Sequence, residues 1–209
     1  MNFNLPSLTP EKMVQALDSV YTQVLEGLPG QKNIYDLAED YRSKSSSTEN
    51  AISKLIAAQV TKATATGAVT GLGGVLTLPV ALPADLAGCL GIQLRMIGAI
   101  AVLRGYNPSD DQVRTLAYAC LVGTGATDLL KGAGIKVGVK MTEKLVQKIP
   151  GKVLVKINQK VGFRLVTKGG SKGIVNLGKM VPFIGAPIGG GLNLLETSAI
   201  AKAAKEIFI

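Results

Sequence analysis

The sequence contains no histidine and no tryptophan, and only two of its 209 residues are cysteines. Without histidine it lacks the most common general base and the most common metal ligand. The remaining acids, serines and cysteines form no catalytic pattern, so we predict no catalytic residue, no metal site and no cofactor. A hydrolase or transferase activity would have to rest on Asp85 and Asp128 alone.

The two cysteines, Cys89 and Cys120, each lie inside an apolar segment. This position favours buried free thiols over a disulfide or a reactive cysteine. The first residues have neither a basic start nor an apolar run, so we expect no signal peptide. We therefore expect a cytoplasmic protein, or one bound peripherally to the cytoplasmic face of a membrane.

Aromatic residues are also scarce, at 4% of the chain. Strand patterns are weak, and most apolar residues occur in long runs of Ala, Leu, Ile and Val, which favours helices. We predict an all-α, single-domain helical bundle whose glycine- and alanine-rich central helices pack closely. We divide the chain into N-terminal helices with a polar loop at residues 1–47 and a helical domain at residues 48–209.

The main apolar stretch covers residues 67–105. Its charged residues are Asp85, Arg95 and Arg104. Residues 67–84 are as long as a membrane span, but four glycines, Pro79 and Pro83 make this half a poor continuous helix. Residues 83–105 predict a sound helix that a proline opens and a glycine closes. We interpret the stretch as two closely packed core helices rather than as a membrane-spanning segment.

Several residues with side chains suited to capping predict where other helices begin. Thr9 precedes Pro10 and an acid, and Asn33 precedes a short apolar-periodic segment. Ser46 and Glu49 have the spacing of a capping box, in which each side chain bonds the other residue's backbone N–H. We expect the first three helices to begin at these positions.

The positive charge is concentrated in residues 131–179. This segment has 12 Lys and Arg against the single acid Glu143, a net charge of +11 within a chain total of +9. Cations recur at every fourth residue, and on a helix each such step turns by about 40°, which gives a slanted stripe. We predict two helices, at residues 135–149 and 152–167, each with a cationic stripe beside apolar residues. The stripe consists of Lys136, Lys140, Lys144, Lys148, Lys152, Lys156, Lys160, Arg164 and Lys168.

The stripe has several interpretations that the sequence leaves open. It is either a solvated helix face, a surface for an anionic membrane, or a surface for an acidic protein partner. Nucleic acid is disfavoured because Phe163 is the segment's only aromatic residue and base stacking needs aromatic platforms. We therefore expect no nucleic acid among the partners. The oligomeric state is left open.

Four ionisable residues lie in otherwise apolar surroundings: Asp85, Arg95, Arg114 and Asp128. Unpaired charges would be costly there, so we predict a buried polar network in which these groups pair between helices. A site for a polar ligand or a lipid headgroup is the alternative. Asp85 and Arg95 do not share a helix face, so each would reach another helix.

Short motifs occur along the chain in a fixed order. They are GAVTGLGG at 67–74, LPADL at 82–86, QLRMI at 93–97, VRTL at 113–116, VGFRL at 161–165, NLGK at 176–179 and VPFIGA at 181–186. In this order they resemble the bacterial EcsC protein family, from about residue 52 to the C-terminus. The resemblance implies an α-helical fold and brings no established enzymatic activity with it.

These observations lead to a function hypothesis and two alternatives. The hypothesis is a non-enzymatic peripheral membrane protein whose basic segment binds an anionic surface, with shallow insertion near residues 79–83 or 182–187. The first alternative is a soluble adaptor that works beside a membrane transporter or secretion system and uses the lysine face for an acidic partner. The second is a lipid-handling or pore-forming protein whose apolar hairpin enters the bilayer.

Overall fold

The computed structural model describes residues 8–27, 30–64, 84–138, 143–168 and 186–209, with the backbone alone at 64, 84, 85, 143, 168 and 186–193. Within these ranges the chain forms nine α-helices and one 3-10 turn, and no strand. The all-α prediction is confirmed. The helices are α1 (Pro10–Glu26), α2 (Ile34–Ser43), α3 (Thr48–Thr64), α4 (Ala84–Leu103), α5 (Asp111–Cys120), α6 (Ala126–Lys131), α7 (Glu143–Gln147), α8 (Gly151–Lys168) and α9 (Ala186–Ile207), with the 3-10 turn at Gly123–Gly125.

The first helices begin where side chains can bond their free backbone N–H groups. Thr9 Oγ1 accepts from the Lys12 N–H at 3.3 Å, and Asn33 Oδ1 accepts from the Asp36 N–H at 2.8 Å. Both caps agree with the prediction. The cap of α3 is Ser47 rather than Ser46, since Ser47 Oγ accepts from the Asn50 N–H at 3.2 Å. The capping-box prediction was therefore one residue too early.

Helix α4 is the predicted helix of residues 83–105, and it ends in a Schellman motif. Gly105 has φ of 85°, and the Tyr106 N–H donates to Ala101 O at 3.0 Å. Its segment Leu86–Leu103 is the one span among the described residues that is long and apolar enough to cross a membrane, with a mean hydropathy of 1.9. Because 83% of that segment is buried inside the protein, α4 serves here as a core helix. The preceding half of the stretch lies outside the described residues.

The other helices pack around α4. Helices α1, α2, α3, α5 and α9 all contact it, while α8 packs on α1 and α5. At Gly98 the helices approach so closely that a Cβ would lie 2.9 Å from Ile34 Cδ1 on α2. Fully buried side chains from α1, α3, α4 and α5 fill the core, and they include Leu17, Leu55, Ile97 and Leu116. The N-terminal helices thus share one core with the rest; the boundary at residue 47 stays a prediction.

The basic segment begins with a non-helical piece, which contradicts part of the helix predicted at 135–149. Helix α6 ends at Lys131, and a turn follows it to Gly134, after which the Ile135 N–H donates to Leu130 O at 3.0 Å. Gly134 and Gly138 have φ of 85° and 84°, a left-handed conformation that interrupts a right-handed helix. Residues 135–138 are therefore not helical, and the next described helix is the short α7. The helix predicted at 152–167 is confirmed as α8.

Candidate functional site

Helix α8 presents the cationic stripe to solvent. Lys152, Lys156, Lys160 and Arg164 are all exposed, and each lies one turn after the previous one. Cations at this spacing repel each other by about 0.2–0.5 kcal/mol per pair. The helix sequence contains no Asp or Glu, and the part of the chain that the structure describes forms no ion pair with these four residues. With respect to the described residues, the face is therefore a row of positive charge that no acid compensates.

The opposite side of α8 is fixed in the core. Ile157 and Val161 are fully buried, and α8 packs on α1. At Gly162 the contact is so close that a Cβ would lie 2.5 Å from Pro10 O. The apolar stripe that the sequence places beside the lysines is thus buried against other helices of the protein, and it is not free to enter a bilayer.

Two apolar side chains lie on the exposed face among the cations. Val155 is 57% exposed and Phe163 is 58% exposed. They stand two turns apart, each directly before a cation of the stripe, Lys156 or Arg164. Together with the charges, these two side chains form a mixed surface. We call the exposed residues Lys152, Val155, Lys156, Lys160, Phe163 and Arg164 the α8 face.

The C-terminal end of the α8 face is anchored to the 3-10 turn. Arg164 Nη1 donates to Gly125 O at 3.0 Å. Lys160 Nζ lies near α6, 3.9 Å from where a Cβ on Gly132 would be. These contacts orient the two side chains, and they leave the charges of both uncompensated by an acid among the described residues.

The remaining predicted cations lie before α8 or outside the described side chains. Lys136 is exposed on the non-helical piece. Lys144 and Lys148 are exposed on and just after α7, where Leu145 between them is 53% exposed. Lys140 and the side chain of Lys168 lie outside the described part of the chain.

The four residues of the predicted buried network have different surroundings. Arg95 is 6% exposed on α4, and its Nη1 donates to Gln31 Oε1 at 3.0 Å rather than to an acid. Burial, its largest influence, lowers the pKa of its guanidinium. Arg114 pairs with Asp111 on its own helix, and Asp128 is exposed on α6. Among the described side chains the shared network is therefore not formed; that of Asp85 lies outside them.

Both cysteines are free thiols, as predicted. Cys120 is fully buried, and its Sγ donates to Leu116 O at 3.2 Å. Cys89 is half-buried, and burial together with the nearby Glu196 raises its pKa to about 11. Neither thiol has the lowered pKa of a nucleophile. Among the described residues, no group of three metal-binding side chains could hold an ion.

Exposed apolar residues are the part of the surface that the lysine pattern alone did not indicate. Val155 and Phe163 each stand one position before a cation of the stripe. Their exposure could therefore have been predicted from the position of the cations on the helix. Leu194 and Leu195 on α9, at 44% and 67% exposure, had no comparable pattern. Their exposure depends on where α9 meets its neighbours, which only the packing determines.

Comparisons with known proteins give a family and one relative. The model of the EcsC protein family matches residues 1–208, so the match includes the N-terminal helices as well as the motifs. A protein of Bacillus subtilis (strain 168) named "Uncharacterized protein YdbA" is 42% identical over 64 residues, which are 31% of this chain and 22% of that protein. The match thus spans about a fifth of that relative's length. No solved structure shows a significant match.

Proposed function

The chain belongs to the EcsC protein family, and we propose that it acts as a non-enzymatic peripheral membrane protein that binds an anionic bilayer surface through the α8 face. One observation carries the proposal: cations that pair with no acid among the described residues share an exposed helix face with two exposed apolar side chains. Anionic headgroups would neutralise the cations, and each lysine held near such a surface contributes about 1 kcal/mol to binding. The proposed location is the cytoplasmic face of a membrane.

The buried side of α8 decides how such binding would occur. An isolated amphipathic helix enters the interface with its whole apolar stripe. Here that stripe packs on α1, so the apolar side chains that the described part of α8 leaves available to reach below the headgroups are Val155 and Phe163. The proposed attachment is therefore mainly electrostatic with a small apolar part, and high salt should weaken it.

Vesicle co-sedimentation tests the proposal. We compare phosphatidylcholine vesicles with vesicles that also contain phosphatidylserine, at low and at high salt. The test variant is Lys156→Gln/Lys160→Gln, and the matched control is Lys62→Gln/Lys202→Gln, which removes two exposed lysines from α3 and α9. We expect the test variant to bind anionic vesicles about 30-fold more weakly, since two lysines at about 1 kcal/mol each are lost, and the control to change little.

Two results would contradict the proposal. Equal weakening by both variants would mean that overall net charge, and not the α8 face, governs binding. Failure of the unchanged protein to bind any vesicle would favour the soluble adaptor instead. A pull-down with an acidic protein partner would then be the next experiment.

A further inference from the structure

The most exposed large apolar side chain in the described part of the chain, Leu195, lies on α9, next to the exposed Leu194. Leu194 is 44% exposed and Leu195 is 67% exposed. One turn further along, α9 is packed: Thr197 and Ile200 are fully buried. Within the described side chains of α9, these two leucines are the exposed large apolar residues.

The 3-10 turn connects this pair to the α8 face. Ala199, one turn after Leu195, has its Cβ 3.6 Å from where a Cβ on Gly123 would be. At the other end of the same three-residue turn, Gly125 O accepts the hydrogen bond from Arg164, whose neighbour is Phe163. Residues i and i+4 of a helix lie on one side of it, so Leu195 stands one turn along from this junction. The helices that carry the leucines and Phe163 thus both contact the same small turn.

The sequence around the leucines has the chemistry of an apolar insertion segment. Residues 180–195 contain no charged side chain, and Lys179 directly precedes them. An uncharged segment that lies between Lys179 and Glu196 in the sequence suits the border between headgroups and acyl chains. A negatively charged lipid surface matches both parts, whereas an acidic protein surface would match only the lysines.

We propose that Leu194 and Leu195 form a second, apolar part of the membrane-binding surface, inserting into an anionic bilayer beside Phe163. This inference rests on the proposed function and assigns α9 a role in it. The α8 face supplies attraction that salt weakens, and the leucines supply apolar burial that salt leaves intact. The bound protein would then meet the bilayer with the 3-10 turn and the neighbouring parts of α8 and α9.

The absence of tryptophan allows a direct test, because any introduced tryptophan is the only one. We compare Leu195→Trp, Phe163→Trp and the control Tyr35→Trp, which replaces an exposed aromatic residue on α2 that bonds to Asn107 and Ser109. Each variant is mixed with phosphatidylcholine–phosphatidylserine vesicles with and without brominated lipid. Co-sedimentation measures in parallel how much protein is bound.

We expect the tryptophans at 195 and 163 to shift their emission to the blue and to be quenched by brominated lipid, and the one at 35 to do neither. In addition, Leu194→Ser/Leu195→Ser should bind about tenfold more weakly at high salt, where the apolar part remains. Binding with quenching at 163 but not at 195 would overturn this inference and leave the proposed function standing. Absence of sedimentation would overturn both. A blue shift at 195 that depends on protein concentration without vesicles would show that a second copy covers the leucines, which also overturns the inference.

Discussion

Tyr118 on α5 donates a hydrogen bond from its hydroxyl to Asp18 Oδ1 on α1, at 2.7 Å. The tyrosine is fully buried, and its ring packs edge-on against Tyr21 at a centroid distance of 5.7 Å. This bond and ring contact join α5 to α1, the helix on which α8 rests. The two helices on which α8 packs are therefore held together by a partly buried hydrogen bond and a ring contact.

We expect Tyr118→Phe to lower the free energy of unfolding by about 1.5–3 kcal/mol, because it removes a hydrogen bond to a charged group and keeps the ring. The matched control is Tyr35→Phe. Its hydroxyl bonds to Asn107 and Ser109 on the exposed surface, so we expect a change within about 0.5 kcal/mol. Urea unfolding followed by circular dichroism measures both. Equal losses in the two variants would mean that the hydrogen bond to Asp18 stabilises the protein no more than the exposed hydrogen bonds of Tyr35 do.

The raised pKa values of the buried tyrosines should make the free energy of unfolding depend on pH. Burial raises the pKa of Tyr21 and, with a further contribution from Asp18, that of Tyr118, above the ordinary value of 10.0. Below that pH both states hold the proton, and the contribution is fully present. Above it the unfolded chain loses protons that the folded protein keeps, so stability falls as the pH rises. Each such group contributes a slope of about 1.4 kcal/mol per pH unit.

We expect urea unfolding to show a lower free energy of unfolding at about pH 11 than at neutral pH. Tyr118→Phe removes one of the groups, so its stability should fall less steeply above pH 10.0 than that of the unchanged protein. Identical slopes in the two proteins would mean that Tyr118 titrates at its ordinary pKa when folded.

Gly162 is required by the close approach of α8 to α1. A Cβ at this position would lie 2.5 Å from Pro10 O and 3.1 Å from Val14 Cγ2. We expect Gly162→Ala to destabilise the protein by about 1–3 kcal/mol, because the helices must separate, although alanine favours the helix itself by about 1 kcal/mol. Thermal unfolding measures the effect. Gly151→Ala is the control on the same helix, with no atom within 4 Å of the added Cβ, and it should not be destabilised.

Helices with strong periodicity and clear end signals could be predicted from the sequence. Helices α1, α4 and α8 each combine an apolar pattern with a cap, a proline or a glycine at an end, so local chemistry determines them. The helix predicted at 135–149 failed at its start because its lysine spacing continues across Gly138, whose left-handed φ angle breaks the helix. Charged side chains on a solvated surface make no packing contacts, so their spacing does not indicate where a helix is interrupted.

The candidate site was predictable in its charges and not in its contacts. The lysines of α8 follow from spacing alone. The hydrogen-bond partner of Arg95 is Gln31, which is 64 residues earlier in the chain. Gln31 lies just before α2, and the packing of α2 on α4 brings it to Arg95. The exposure of Leu195 depends in the same way on where α9 meets the 3-10 turn. Such relationships arise between elements, so no local pattern encodes them.

A variant at Phe163 measures the apolar contribution to the proposed membrane binding separately from the electrostatic contribution. Phe163 is 58% exposed, so we expect Phe163→Ala to change the free energy of unfolding by no more than about 0.5 kcal/mol. Its affinity for anionic vesicles should fall by about tenfold, because an aromatic ring no longer leaves water, and this loss should persist at high salt. Co-sedimentation over a salt series measures it.

Lys156→Gln on the same face supplies the comparison for that series. Its loss of affinity should be large at low salt and should shrink at high salt, since screening already weakens the interaction that the variant removes. If the surface is mixed, the loss of affinity stays constant with salt for Phe163→Ala and decreases with salt for Lys156→Gln. If the loss for Phe163→Ala shrinks as that for Lys156→Gln does, the ring does not enter the bilayer, and the α8 face binds through its charges alone.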